Sequence, residues 1–140
     1  MNLQKAMANL PGVQNLIEWF GYWPTFHDAE VVSIELNREG SSRLRVHCFC
    51  TTNRVNKYGH YITEKHAIVS FIFEKIAQLE LANFNQQNVV SSISVGLSEN
   101  GYEVILGDCY GVSGRLEAGR LSFEFESGMP SNSIYAETLS

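Results

Sequence analysis

Cysteine, basic residues and long apolar runs are all scarce in this chain of 140 residues, and each shortage removes a class of protein. The three cysteines, Cys48, Cys50 and Cys109, are odd in number, and the first ten residues carry one lysine and no apolar stretch of signal-peptide length. A disulfide framework is therefore not expected, and neither is export by a signal peptide. Cys48 and Cys50 stand two apart, on one face of a strand, and read as buried reduced thiols. A zinc site would ask for a second such pair or for histidines at close spacing, and the adjacent His47 faces the other way. Ten basic residues against fifteen acidic ones leave a formal net charge of −5. Nucleic-acid binding is not expected from such a balance, because neutralising phosphates takes a basic surface. No apolar run approaches the roughly 20 residues that cross a bilayer, so no membrane span is expected. Phosphate loops and dinucleotide fingerprints are missing. Gly111-Val112-Ser113-Gly114 lacks the fifth-position glycine of a nucleophile elbow. His60 and His66 lie too far apart to form a metal signature. No cofactor and no metal is expected.

What is present is an ordinary globular composition, 44% hydrophobic and 18% charged, enough for one domain over residues 1–127 followed by a polar, loose tail over 128–140. Val13, Leu16, Ile17 and Phe20 recur at helical spacing, with Pro11-Gly12 before them and Gly21 at the stop position. After Trp23-Pro24 the period becomes two. Val32, Ile34 and Leu36 alternate with polar neighbours, and so do Leu44, Val46, Cys48 and Cys50, which predicts an antiparallel hairpin. Residues 53–66 are polar and predict a long loop or an exposed hairpin tip. Ala67, Val69, Phe71 and Phe73 share a face, and residues 75–81 continue as strand after a bulge or bend. Asn100-Gly101 is a tight-turn signal between two alternating runs. Residues 117–120, with Gly119, predict a turn before a last strand through Leu121, Phe123 and Phe125. The expected fold is α+β, mostly β: an N-terminal helix, then about seven or eight strands in an antiparallel β-sandwich or half-open barrel.

Two places invite a chemical reading. His27-Asp28, with Glu30 nearby, offers a histidine beside a carboxylate, as a small hydrolase would use. Neighbours in an extended chain point apart, however. The plainer role is structural: Trp23 and Phe26 anchor the helix-to-sheet junction, Pro24 stiffens it, and His27 and Asp28 satisfy main-chain groups. No catalytic residue is assigned, and a non-enzymatic protein is expected. The second place is the surface. Arg54, Lys57, Tyr58, His60 and Tyr61 form a polar, aromatic loop of the kind that touches partners. Charge is also uneven: residues 1–70 hold seven basic and six acidic side chains, and residues 71–140 hold three and nine. Glu117, Glu124 and Glu126 in that acidic half are candidates for the same partner surface, since an acidic face steers a basic partner. A module that pairs with itself through an exposed sheet face is a third reading.

The run Gly21-Tyr22-Trp23-Pro24-Thr25-Phe26-His27-Asp28-Ala29-Glu30-Val31, opening an alternating strand, resembles the start of the Immunity protein 50 family of bacterial polymorphic toxin systems. The Phe-rich strand at 69–73, the Cys-Tyr-Gly-Val-Ser-Gly segment at 109–114 and the last strand at 121–125 resemble its later order. The resemblance implies a cytoplasmic antidote that binds a cognate toxin protein domain, basic and nuclease-like if charge is the guide, and blocks it. It implies Trp23, Pro24, Phe26, His27 and Asp28 as signature positions of the scaffold.

Overall fold

A computed structural model describes residues 3–136. Two short helices, α1 (Leu3–Ala8) and α2 (Val13–Phe20), precede six strands: β1 (Ala29–Glu35), β2 (Ser42–Val55), β3 (Tyr61–Ala82), β4 (Asn88–Ser98), β5 (Gly101–Tyr110) and β6 (Ser113–Ser127). All neighbours are antiparallel, and the sheet closes on itself in the order β1-β2-β3-β6-β5-β4. The mostly-β class matches the sequence reading, but a closed barrel of six strands replaces the sandwich or half-open barrel of seven or eight. The count falls because residues 117–120 read as a turn but lie within the continuous β6, while the bend expected near residue 75 is present within β3. β3 runs through Lys75 at φ 59°, and its register with β6 shifts between Ile76 and Gln78. β6 runs through Gly119, whose α-carbon faces the Lys75 side chain. The two strands therefore bend together as one coiled ribbon, and neither stops.

Alternate residues fill the barrel. Leu44, Phe71 and Phe123 lie in register across β2, β3 and β6, and Val46, Ala67, Val69 and Phe71 have no exposed surface. The Phe71 and Phe123 rings meet edge-on at 4.9 Å. Burial also governs chemistry at Cys48, which points inward and is pushed up to about 12 by desolvation. In the folded protein a maleimide should modify the exposed Cys109 rapidly and leave Cys48 untouched until denaturant is added. Equal rates at the two thiols would contradict this packing.

The helical segment closes a split in the wall. β5 pairs with β6 only from Ala118 back to Gly114, so the later half of β6 needs another neighbour. The Phe123 N–H donates to the Pro11 carbonyl at 2.8 Å, and the Ile93 N–H to the Thr25 carbonyl at 3.4 Å. α2 lies over this opening with Val13, Leu16 and Phe20 buried, and Gly21 at φ 91° ends it by donating to the Ile17 carbonyl. Trp19 packs at a tilt against Phe125, and Trp23 meets Phe123 edge-on. Past β6 the chain is tied down where composition alone suggests a loose tail: Ser133, Ile134 and Tyr135 all bond back to β1 or the turn before it.

Candidate functional site

The junction before β1 is built on two left-handed residues, Phe26 and Asp28, both at φ 60°. Such a conformation costs a side-chain-bearing residue about 1–2 kcal/mol. It turns Phe26 inward, 2% exposed, against Trp23 at 5.9 Å and Phe71 at 5.2 Å. Pro24 is buried beside it. The same kink turns His27 outward, with 72% of its side chain exposed. Its Nδ1–H donates to the Ser91 carbonyl at 3.0 Å, and its Nε2 lies 3.3 Å from the Asp28 carboxylate.

The surface candidates separate into three kinds. Arg54, Lys57, Tyr58, His60 and Tyr61 come together at the tip of the β2–β3 hairpin, where only residues 56–60 lie outside the strands. Tyr58 and Tyr61 are about 60% exposed. Glu124 and Glu126 project from the barrel wall, each paired at 3.1 Å, with Arg43 and Arg45 respectively. These pairs reach over the intervening β3, where Ser70 sits in register between Arg45 and Glu124. Glu117 does not belong to the surface. It is 7% exposed, 3.1 Å from Arg115, and accepts a hydrogen bond from Asn100. Leu116, Glu117 and Ala118 are buried in succession at the bend in β6, where the alternation that exposes Glu124 and Glu126 fails.

A fourth arrangement has no signal in the spacing of the residues that make it. His47, at 0% exposed, points away from the barrel lumen and is sealed from solvent. Its Nδ1 is 2.6 Å from Glu30 Oε1, and its Nε2 is 2.8 Å from His66 Nδ1. His66 Nε2 is 2.8 Å from the Thr63 hydroxyl. One direction satisfies every atom: Thr63 donates to His66, His66 to His47, and His47 to the Glu30 carboxylate. Glu30 also accepts from the Ser133 hydroxyl at 2.5 Å and the Ile134 N–H at 3.1 Å. Phe49 and Tyr135 pack over the pair of histidines, and the Tyr135 hydroxyl donates to the Asp28 carbonyl. Burial, and then the neighbouring His47, hold His66 down to about 4. Burial alone would raise the Glu30 carboxyl, but the bonds from His47, Ser133 and Ile134 outweigh it and leave it below the ordinary value. Among the described residues, no three histidine, cysteine or carboxylate side chains are placed to hold a metal ion. The chain of bonds locks four segments together: β1, β2, β3 and the residues after β6.

No curated protein and no solved structure matches the chain. A family model does match it, that of Immunity protein 50, over residues 12–126. The match opens at the glycine beneath Phe123 and ends within the last turnless stretch of β6, so it takes in α2, the Trp23-to-Asp28 junction and the barrel wall from β1 onward: the chain belongs to the Immunity protein 50 family.

Proposed function

We propose that this protein neutralises a cognate bacterial toxin domain by binding it directly in the cytoplasm, without chemistry of its own. The family match across residues 12–126 carries this reading. The bond from His27 Nδ1 to the main-chain carbonyl of Ser91, a structural role, supports the non-enzymatic part of it. Charge supports a basic, nuclease-like toxin. Glu39, Glu80, Glu99 and Asp108 are exposed and form no ion pair among the described residues, in a chain of net charge −5. Such a surface raises the encounter rate with a positive partner, and salt screens it.

The test is coexpression and binding with the toxin-like domain encoded beside this gene. Growth should be rescued and a stable complex should form. Its association rate should fall at least about tenfold between low salt and 0.5 M salt. An association rate indifferent to salt would remove the basic-toxin part, and an absence of binding and rescue would remove the whole reading.

A further inference from the structure

We infer that the tip of the β2–β3 hairpin, residues 54–61, is the part of this molecule that enters the toxin, and that it fits a carboxylate-lined cleft with apolar walls. This rests on the toxin-binding reading and names the surface that reading leaves open. The hairpin outruns the barrel. β1 accompanies β2 only as far as His47, and β6 accompanies β3 only from Ala67 onward. Beyond those points the two strands pair with each other alone, to Val55 opposite Tyr61. On β3 the stretch opposite Cys50 to Val55 runs from Glu64 to Tyr61, three steps of about 3.3 Å, so the paired part projects roughly 10 Å, and β2 takes up its extra residues in a bulge between Thr51 and Val55.

The tip is held in one shape before it meets anything. The Asn56 side-chain oxygen accepts from the N–H groups of Tyr58 at 2.9 Å and His60 at 3.1 Å. The Asn56 N–H donates to the His60 carbonyl, and Gly59 takes φ 81° to close the turn. A preformed loop loses little conformational entropy on docking. Val55, Tyr58 and Tyr61 are each more than half exposed on it. Tyrosine and arginine in such positions dominate binding energy when a cleft excludes water from them.

Charge decides what kind of cleft. Between residues 54 and 61 there are Arg54, Lys57 and His60 and no carboxylate. Elsewhere on the barrel Arg43, Arg45 and Arg115 each have a carboxylate within 3.1 Å. Arg54 reaches only to 3.8 Å from Glu64, and Lys57 has no ion pair among the described residues, its ammonium resting 5.1 Å from the centre of the Tyr58 ring. Burying these cations in a partner is costly unless the partner presents anions to them. A carboxylate cluster of the kind that holds a divalent cation in a phosphodiester-cleaving centre has that chemistry. It sits within an otherwise basic nuclease, so it agrees with the acidic surface of the rest of the chain.

The experiment measures affinity for the toxin-like domain encoded beside the gene, with circular dichroism melts to show that each variant folds. Tyr58→Ala with Tyr61→Ala, and Arg54→Glu with Lys57→Glu, should each weaken binding at least about 100-fold, while Lys57→Arg and Glu124→Gln with Glu126→Gln stay within about threefold of the unaltered protein. Binding within threefold for both tip variants, with the unaltered protein still neutralising the toxin, would overturn the tip as the contact and leave the toxin-binding reading standing. Tighter binding by the charge-reversed variant would overturn the carboxylate-lined cleft. Failure of the unaltered protein to bind would overturn both.

Discussion

Glu30→Ala should lower stability by about 3 kcal/mol, because it leaves His47 buried with a ring nitrogen that has lost its acceptor. The side chain of Glu30 is 13% exposed and that of His47 is fully enclosed, so water cannot replace the missing carboxylate without breaking the packing of Phe49 and Tyr135. The same substitution removes the acceptors for Ser133 and Ile134, and residues 133–135 should detach. Thermal melts should move down by on the order of 10 °C. Glu30→Gln should cost clearly less: an amide donates to His47, and the chain of bonds can reverse, with Thr63 accepting at its far end. Equal losses for the two variants would show that the network needs the charged, acceptor-only carboxylate and cannot reverse its direction. The pH dependence has a definite sign. Unfolded His66 takes up its proton near 6.5, whereas the folded residue waits until about 4. The unfolded state binds more protons across that window, so stability falls as the pH drops from 6.5 toward 4. Glu30, held below its ordinary 4.5, adds a further loss as the pH passes down through its folded value. A His66→Gln variant should lose the slope between pH 6.5 and 4 in urea titrations and keep the lower one.

Gly12→Ala is the second large effect, at about 3–4 kcal/mol. Two costs coincide there. Gly12 stands at φ 91°, where a β-carbon is strained by about 1–2 kcal/mol. That β-carbon would also lie 1.9 Å from the Phe123 carbonyl oxygen and 2.7 Å from its carbon. Both are backbone atoms, so relief must come from shifting α2 away from β6 and losing the bond between Phe123 and Pro11. Gly21→Ala is the control: it has φ 91° as well, but nothing lies within 4 Å of the added carbon. Its cost should be the conformational part alone. Similar denaturation midpoints for the two variants would show that the closeness of Gly12 to β6 does not matter.

The parts of this molecule that depend on near neighbours in the chain were legible. The helical spacing of Val13, Leu16 and Phe20 with Gly21 behind it marks α2 within its observed ends. The alternation on β2 and the Asn100-Gly101 turn between β4 and β5 appear where the period-two pattern puts them. The bend at Lys75 was legible in β3, but its partner at Gly119 reads as a turn, because a glycine beside polar residues looks the same whether a chain reverses or coils. Closure was beyond reach as well, since it depends on Ala29–Val31 meeting Asn88–Val90, a pairing between strands distant in sequence. The buried network was missed for the same reason. His47 was rightly placed opposite Cys48, yet what covers it comes from positions 30, 66, 133 and 135, and none of these stands at a spacing that signals the others.

The uneven stitching of the barrel gives it a mechanical direction. β3 is bonded to β2 on one side and to β6 along most of its length on the other, whereas β1 and β4 share only a short seam. A tug on the β2–β3 hairpin would be borne by the most firmly laced strands, and the weak join would carry little of the load. The molecule is arranged so that whatever grips that finger pulls along its grain.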